Sequence, residues 1–423
     1  MRFLYTIIFY LLLPFILLRL WIKNRKIPNG LQFWHERLGL GLRPVLPGGI
    51  WVHAVSVGES LTAIPLIKLL QQRYPTTPII VTNETITGAE RVRAGLVNVT
   101  QLYFPYDLPS ILRKFLKVLK PKLLILLETE LWPNLLEACQ LYQVPVALVN
   151  ARLSEGSARS YRRILPVIQK MLKNIDVIAA QFQSDADRFI NLGFPAERLQ
   201  ITGSLKFDLT LPLHLTEQAQ RWRKIWGENR LVWIAASTHP GEEELILQAF
   251  TEARRVYPDL LLVSIPRHVD RVSQLQQLYS SIYKVAKRSD YNEKNEDSEL
   301  EVVDIFIGDT MGELLIFYAA ADLAFVGGSL VEKGGQNPLE PAAVGLPILS
   351  GLHTFNFTTI TEQLKQRKAE IQVNNAVELA EQVISLLSNP KQRQQMAQEA
   401  KKFVAENKGS VLKQMQLIEN LLI

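Results

Sequence analysis

The feature that most constrains the fold is a repeated alternation of short apolar runs with longer amphipathic segments. Runs such as GIWVHAV, KLLILLETE and VPVALVNA are almost continuously apolar, and most of the helical patterns between such runs cover ten or more residues. Near-continuous apolar strands are typical of parallel sheets that helices cover on both faces. The alternation therefore predicts doubly wound α/β structure.

This alternation occurs in two series, which suits a chain of 423 residues because that length exceeds one ordinary domain. The first series ends near Gly203, and the second begins at LVWIAAST after the polar, helix-like stretch TEQAQRWRKIWGENR. We predict two tandem Rossmann-like domains, with an N-terminal segment at 1–26, a first domain at 27–208, a linker at 209–230 and a second domain at 231–423. A low-complexity stretch, 287–301, is predicted to be an exposed loop.

The N-terminal segment is the most apolar part of the chain. It has no charge from Phe3 to Leu18 and then carries Arg19, Lys23, Arg25 and Lys26. The uncharged run is slightly short of the ~20 residues that cross a bilayer, so a helix that spans and a helix that lies shallowly are both open. The basic residues place the C-terminal side in the cytoplasm. We predict a membrane anchor, and the alternative is a buried N-terminal helix of the fold.

The net charge of +6 permits an acidic partner without specifying one. The sequence has no zinc-ligand spacing, aromatic RNA-binding motif or lysine-rich tail, so nucleic acid is disfavoured and an anionic membrane surface is favoured. The single cysteine, Cys139, lies in a helical pattern, excludes an internal disulfide and indicates a reducing compartment.

Candidate catalytic residues follow strands of the first domain, where open α/β sheets bind their ligands. Glu59 ends the strand and turn HAVSVGES, Glu128 and Glu130 follow a strand in LLETELWPN, and Lys206 stands in GSLKFD. Strand alternation would put the two acids of ETE on one face. Simpler roles stay open: Glu59 as a helix-start carboxylate worth ~0.3–1 kcal/mol, the ETE acids as the start of the next helix, and Lys206 as a surface lysine.

The second domain offers three candidate binding segments. SIPRH ends a strand with Arg267 and His268, and GDTMGEL presents the amides of Met311 to Glu313 at a strand-to-helix turn. In FVGGSLVEKGGQNPLEP, glycines form turns, Asn337 and Pro338 begin a helix, and Glu340 stands where it can accept hydrogen bonds from ribose hydroxyls. This pattern resembles the donor-nucleotide site of glycosyltransferases with two facing Rossmann-like domains, the GT-B architecture.

No metal and no cofactor are expected. The six histidines have no HxxxH or HxH spacing, and no DxD motif follows a strand. GT-B enzymes usually stabilise a leaving phosphate with a helix N-terminus and basic side chains instead.

The ordered set of motifs resembles the bacterial 3-deoxy-D-manno-octulosonic acid (Kdo) transferases of lipopolysaccharide assembly. The resemblance covers nearly the whole chain, through FWHERLG, WVHAVSVGE, ETELWPN, NARLS, GSLKFD, GDTMGEL, FVGGSLVEKGGQNPLEP and HTFNF. It implies inverting, metal-independent transfer of Kdo from CMP-Kdo to the disaccharide lipid A precursor, lipid IVA, with release of CMP. It also implies a location on the cytoplasmic face of the inner membrane.

The resemblance implies a role for each matching residue. Glu59 is the proton acceptor, and Glu130 and Lys206 stabilise the transition state. The implied CMP contacts are Pro266, Arg267, Met311, Gly312, Glu313, Asn337, Pro338, Leu339 and Glu340. Gln336 stands where relatives carry another polar residue, which concerns a peripheral contact only.

Three other functions stay open at this point. The nearest is a GT-B transferase that uses a UDP-sugar, and a second is a membrane-tethered nucleotide-binding protein without turnover. A tandem Rossmann dehydrogenase is the weakest, because no GxGxxG follows a strand with an acid about twenty residues further on.

Overall fold

The structure, a computed structural model, describes residues 2–24, 30–291 and 303–422. The chain forms two compact units, the first from Met1–Asp208 with Lys408–Ile423 and the second from Leu209–Asn407. Each unit contains one seven-stranded sheet, and all neighbouring strands pair in parallel. The predicted pair of parallel α/β domains is confirmed.

The sheet of the first unit has the strand order β3-β2-β1-β4-β5-β6-β7. Its strands are β1 (Ile50–His53), β2 (Ile79–Asn83), β3 (Thr100–Tyr103), β4 (Leu123–Leu127), β5 (Val146–Ala151), β6 (Val177–Ala180) and β7 (Leu199–Ile201). Its helices are α1 (Arg2–Asn24), α2 (Gly30–Arg37), α3 (Val57–Arg73), α4 (Ile86–Gly95), α5 (Pro109–Leu119), α6 (Pro133–Leu141), α7 (Glu155–Arg162), α8 (Leu165–Leu172), α9 (Gln183–Asn191) and the C-terminal α18 (Ser410–Glu419).

The sheet of the second unit has the order β10-β11-β9-β8-β12-β13-β14. Its strands are β8 (Val232–Thr238), β9 (Leu261–Pro266), β10 (Val285–Lys287), β11 (Ile305–Ile307), β12 (Leu323–Val326), β13 (Ile348–Ser350) and β14 (Glu370–Gln372). Its helices are α10 (Leu215–Trp226), α11 (Glu243–Val256), α12 (Val272–Ser280), α13 (Leu314–Ala320), α14 (Leu339–Val344), α15 (Thr358–Gln366), α16 (Ala376–Ser388) and α17 (Pro390–Asn407).

The alternation of side chains along each strand divides the apolar residues between the two faces of the sheet. In β1, Trp51 packs in one core cluster while Ile50 and Val52 pack in another. In β8, Trp233 and Ile234 are divided in the same way. Helices cover both faces, so the continuous apolar runs seen in the sequence are buried on both sides of each sheet.

The predicted linker, 209–230, contains a helix of the second unit. Trp222 and Trp226 of α10 are 7% and 1% exposed and pack against Phe306 and Phe317. Burial of two tryptophans is a large apolar contribution, and it makes α10 part of the core. Residues 215–226 therefore form part of the second unit and are more than a connection between the two predicted domains.

The C-terminal helix α18 belongs to the first unit, although the predicted second domain extended to residue 423. Met415 and Ile418 pack in a core cluster of the first unit, and the Asp208 carboxylate accepts hydrogen bonds from the Gly409 and Val411 amides, both at 2.6 Å. An amphipathic pattern predicts a buried face but does not say which domain buries it. Strand β10 was not predicted, because its three residues, VAK, are only partly buried and form no continuous apolar run.

Helix α1 packs along one side on the first unit. Phe9, Leu13, Ile16 and Leu17 contact a small cluster that contains Tyr106, and Tyr10 forms a 2.9 Å hydrogen bond with a serine at the start of α5. Within the part of the chain that the structure describes, no helix combines the length and apolarity needed to span a bilayer. Residues 25–26, and most of the stretch predicted as a loop at 287–301, lie outside the described residues.

Candidate active site

Glu59 lies in the first turn of α3, directly after the turn that ends β1. Ser56 is the N-cap: its hydroxyl accepts a hydrogen bond from the Glu59 amide at 3.4 Å and donates to Glu59 Oε1 at 3.1 Å. The Val55 amide donates to Glu59 Oε2 at 2.8 Å. This is a reciprocal capping arrangement, so the helix-start role considered from the sequence is present in the fold.

The same carboxyl has a strongly raised pKa. Burial raises the pKa of Glu59 to about 7, and the nearby Glu128 charge adds to this, while the hydrogen bond from the Val55 amide acts in the opposite direction. A general base is most effective when its pKa is close to the working pH. Glu59 therefore stabilises the start of α3, and its pKa is also close to the value that suits a general base at neutral pH.

Glu128 and Glu130 follow β4 in a turn. Glu128 has a φ of 56°, in the left-handed region that non-glycine residues rarely adopt, so the chain leaves the extended conformation at this residue. The expected strand alternation therefore does not apply to the pair. Sparsely populated backbone conformations are concentrated at functional sites, and this turn lies at the carboxyl edge of the sheet.

Glu130 resembles Glu59 in its electrostatics. Burial raises its pKa to about 7, and the charges of Glu59, Glu84 and Glu128 raise it further, while the indole of Trp132 donates a 2.8 Å hydrogen bond to Glu130 Oε2 and lowers it. Repulsion by the neighbouring negative charges makes Glu59 and Glu130 harder to ionise. The structure therefore brings Glu59 and Glu130 into one interacting acidic cluster.

Lys206 belongs to the same cluster. It lies in a short 3-10 turn, Leu205–Phe207, after β7. Burial lowers its pKa, the Arg152 charge acts in the same direction, and the charges of Glu128 and Glu59 raise it. The three residues predicted to be catalytic thus interact electrostatically at the carboxyl edge of the first sheet.

Two residues that the sequence did not indicate as functional hold the Lys206 turn. The side-chain oxygen of Asn150 accepts hydrogen bonds from the Leu205 amide at 3.0 Å and from the Ser204 hydroxyl at 3.3 Å. Gln414 of α18 accepts from the Asn150 amide at 3.1 Å and donates to the Gly203 carbonyl at 3.2 Å. Asn150 was visible in the motif NARLS, but no sequence signal connects α18 to this turn.

A buried aromatic layer supports the end of β1. The His53 ring stacks on Phe104 with 3.7 Å between centroids, and its Nδ1 lies 3.1 Å from the Thr82 carbonyl. Burial lowers the pKa of His53 to about 3, so the ring is neutral. Arg37 of the FWHERLG motif donates to the Phe104 carbonyl at 3.1 Å and forms a 3.6 Å ion pair with Glu84. The first motif of the resemblance therefore contributes to the support of the acidic cluster.

In the second unit, Arg267 follows the end of β9 at Pro266, and Glu340 lies in the first turn of α14. Burial raises the pKa of Glu340, while a hydrogen bond with the Asn337 side chain and the Arg267 charge lower it. Asn337 Oδ1 also accepts from the Leu339 amide at 3.1 Å. Leu339 itself is fully buried, and its amide is the group that this bond engages. Arg267, Asn337 and Glu340 are brought together as expected.

The turn Met311–Glu313 follows β11, the neighbour of β9 in the sheet. Met311 is 72% exposed, and Gly312 has a φ of 90° with open space beside it. The Glu313 carboxylate is engaged by Arg288 at 3.0 Å and by the Thr310 hydroxyl. The backbone of this turn is therefore the part that remains available for a ligand.

Basic side chains surround the ends of β8 and β9. Burial lowers the pKa of His239, and the charges of His268, Arg267, Lys333 and Arg271 lower it further. Gln336, directly after the glycine turn, lies with its amide nitrogen 3.1 Å from His239 Nε2. Among the described residues, no cluster of three or more histidine, cysteine or acidic side chains could hold a metal ion.

Two family models match the chain, one over most of the first unit and the other over most of the second unit. The family model for 3-deoxy-D-manno-octulosonic-acid transferase (kdotransferase) matches residues 32–209, and that for glycosyl transferases group 1 matches residues 235–403. A 3-deoxy-D-manno-octulosonic acid transferase of Haemophilus influenzae is 38% identical over 99% of this chain and 98% of its own length. One of Bordetella pertussis is 33% identical over 99% of both chains.

Solved structures support the fold. The crystal structure of a glycosyltransferase from Rickettsia africae matches with a TM-score of 0.55 and 12% identity over 89% of this chain and 99% of that one. A UDP-GlcNAc 2-epimerase from Neisseria meningitidis matches with a TM-score of 0.56 and 15% identity over 86% of this chain and all of that one. At these identities the likeness concerns the fold alone.

Two parallel-sheet α/β units, together with the group 1 match of the second unit, define a glycosyltransferase with the two-domain GT-B type of fold. The full-length identity to curated relatives then specifies the family. The chain belongs to the 3-deoxy-D-manno-octulosonic acid (Kdo) transferases, glycosyltransferases of lipopolysaccharide biosynthesis.

Proposed function

We propose that this enzyme transfers Kdo from CMP-Kdo to a hydroxyl of the lipid A precursor, lipid IVA, with inversion at the anomeric carbon and release of CMP. Glu59 acts as the general base, and no metal ion takes part. The observation that carries the proposal is the cluster at the carboxyl edge of the first sheet, where Glu59 and Glu130 both have pKa values raised to about 7 beside Lys206.

The chemistry of the transfer needs one base and one stabilised leaving group. The acceptor oxygen attacks the anomeric carbon of Kdo and forms the new glycosidic bond, while the bond from that carbon to the phosphate oxygen of CMP breaks. The bonding electrons leave with the phosphate, and the hydroxyl proton passes to the Glu59 carboxylate. A carboxylate with a pKa near 7 accepts this proton far better than one with an ordinary pKa, which supports the assignment.

Glu130 and Lys206 complete the cluster in this proposal. The charge of Glu128 helps to raise the pKa of Glu59 and so counters the α3 dipole, which would otherwise weaken Glu59 as a base, and the charge of Glu59 in turn helps to raise the pKa of Glu130. Lys206, in a turn fixed by Asn150 and Gln414, supplies a positive charge in a partly desolvated place. Such a fixed charge can interact with the anionic groups of the phosphorylated acceptor or of Kdo.

We propose that the second unit binds the CMP part of the donor. The Glu340 carboxylate suits the two ribose hydroxyls, since its partners leave it acceptor capacity, and Arg267 beside it suits the phosphate. The exposed backbone of Met311 and Gly312 completes the set. The basic side chains around His239 supply positive charge for the leaving phosphate.

We propose that α1 attaches the enzyme to the inner membrane at its cytoplasmic face. The side of α1 turned away from the protein exposes large apolar side chains, and Phe3, Leu11 and Phe15 are 78%, 67% and 69% exposed. The adjoining α5 and its end carry five lysines and arginines and no acid over residues 113–122. An apolar helix face beside a cationic one matches a helix that lies at the surface of an anionic bilayer.

The proposal is tested by measuring CMP release from the purified protein in the presence of EDTA. CMP should appear only when both CMP-Kdo and the lipid A precursor are supplied. CMP should also inhibit competitively, while UMP and UDP should not. Inhibition by UDP instead of CMP would support a UDP-sugar transferase, and no release under any condition would support a binding protein without turnover.

A further inference from the structure

A buried carboxylate fills an anion-binding loop next to the proposed donor site. After β12 the chain turns through Gly328, whose φ is 70°, and the amides of Gly328, Ser329 and Leu330 converge on one point. The Glu242 carboxylate occupies that point, with amide-to-oxygen distances of 2.6, 2.9 and 2.9 Å, and the His239 amide adds a fourth bond at 3.0 Å. Glu242 is fully buried.

Successive backbone amides that point into one concavity form a nest, which is a general site for phosphates and other anions. Here four N–H groups satisfy a carboxylate that has no access to solvent. Burial of an unpaired carboxylate would be costly, so these bonds stabilise the occupant strongly. The nest is therefore permanently filled by the chain itself.

The nest directly adjoins the residues proposed to bind the donor. The Gly335 amide donates to the Gly328 carbonyl at 2.8 Å, and the Gln336 amide donates to the Gly327 carbonyl at 3.0 Å. Asn337 comes directly after Gln336 in the sequence, and Glu340 comes three residues later. The Arg267 amide donates to the carbonyl of Thr238, at the end of the strand that precedes Glu242. A phosphate held by these elements lies close to an amide nest and to a fixed negative charge.

We propose that Glu242 determines the specificity of this enzyme for a donor with a single phosphate. This inference rests on the proposed donor site. The Glu242 carboxylate takes the amides that a second phosphate would need and repels the charge of that phosphate. The single phosphate of a nucleoside monophosphate sugar is then held by side-chain cations, such as Arg267, in place of backbone amides.

The test uses the full-length enzyme and compares CMP with CDP by calorimetry. The wild type should bind CMP at least tenfold more tightly than CDP. Glu242→Ala opens the nest and removes the charge, so the ratio should move at least tenfold towards CDP. The melting temperature of this variant should also rise with added formate, relative to chloride at equal ionic strength, by more than that of the wild type, whose nest is already filled.

Glu370→Gln is the matched control. Glu370 lies in β14 of the same unit, is also buried, and is bound by the Ser350 hydroxyl instead of by amides. Its substitution should leave the CDP to CMP ratio and the anion response unchanged. If Glu242→Ala does not fold, Glu242→Gln decides, because it keeps the size but loses the charge and should still narrow the ratio.

The outcomes separate this inference from the proposed function. Wild-type protein that binds CMP and CDP equally well overturns the inference, and so does a folded Glu242→Ala variant with an unchanged ratio and no anion response. If only Glu242→Gln folds, an unchanged ratio of CDP to CMP affinity in that variant also overturns the inference. Wild-type protein that binds no CMP contradicts the proposed donor site as well.

Discussion

Glu59→Gln separates the two roles that the structure gives to this side chain. A glutamine keeps one carbonyl oxygen for the Val55 amide and can donate to the Ser56 hydroxyl, so the hydrogen-bond geometry at the start of α3 is largely preserved. It cannot accept a proton under the assay conditions. Since general-base catalysis contributes typically 10²–10⁴-fold, we expect the transfer rate to fall by a factor of this order while CMP affinity stays unchanged.

The expected change in stability is small. Loss of the charge removes an interaction with the helix dipole of ~0.3–1 kcal/mol, equivalent to a few degrees in melting temperature for a unit of this size. Removal of a carboxylate that is costly to ionise in this place acts in the opposite direction. Glu59→Gln should therefore lower the transfer rate strongly and change the melting temperature little.

The chain offers a matched control for the helix-start role. Glu378 caps α16 in the same way: it accepts from the Asn374 amide at 2.9 Å, and its own amide donates to Asn375 Oδ1 at 3.0 Å. Glu378→Gln should change the melting temperature by a similar small amount and leave the transfer rate unchanged. A folded Glu59→Gln variant with a near-normal rate would refute the base assignment.

The pH dependence gives a second measurement on the same residue. Glu59 must be ionised to act as a base, so kcat/KM of the wild type should rise as the pH increases through about 7. Glu59 and Glu130 interact, and both titrate near this pH. The rising limb of the pH profile therefore reports an apparent pKa of the pair and not of Glu59 alone. The residual activity of Glu59→Gln should lack this limb, and a wild-type profile that stays flat from pH 5 to 8 contradicts the assignment.

Three further predictions test other parts of the account. Glu340→Ala should weaken CMP binding in calorimetry by up to about 1.5–3 kcal/mol for each lost hydrogen bond, and unchanged affinity in a folded variant would exclude Glu340 from the site. Gln414→Ala removes the side-chain partner of the buried Asn150 amide and one hydrogen bond to the Gly203 carbonyl, so it should lower stability by about 1–3 kcal/mol and reduce turnover but not CMP affinity, and normal turnover would contradict a link from α18 to the Lys206 turn. Serine at Phe3, Leu11 and Phe15 should reduce sedimentation with anionic vesicles without a change in melting temperature, and full vesicle binding would contradict attachment through α1.

The strands and the residues at their ends could be predicted from the sequence because both follow from local pattern. A continuous apolar run such as LLILL predicts a strand buried on both faces, and acids directly after it, such as Glu128 and Glu130, are then expected at the carboxyl edge of the sheet. The acidic cluster around Glu59 could be predicted because neighbouring parallel strands, here β1 and β4, end at the same edge of the sheet.

The parts that could not be predicted depend on contacts between distant segments. Gln414 meets Asn150 across 264 positions of the chain, and nothing in the pattern of α18 indicates which unit it joins. The Glu242 nest likewise joins segments 86 to 88 positions apart. The turn at Glu128 was missed for a different reason, since its positive φ occurs in a residue type that rarely adopts it. Sequence patterns report local conformation, whereas these features are set by tertiary packing.

Mass spectrometry of the lipid product shows directly whether this enzyme transfers Kdo to the lipid and whether Glu59 is needed. Wild-type enzyme and Glu59→Gln are incubated side by side with CMP-Kdo and the lipid A precursor in the presence of EDTA, and CMP is quantified in the same samples. The account predicts that the wild type adds one or more Kdo residues to the lipid with one CMP released for each, and that Glu59→Gln gives the same product at least 10²-fold more slowly. A lipid of unchanged mass, with or without CMP release from the wild type, would contradict it.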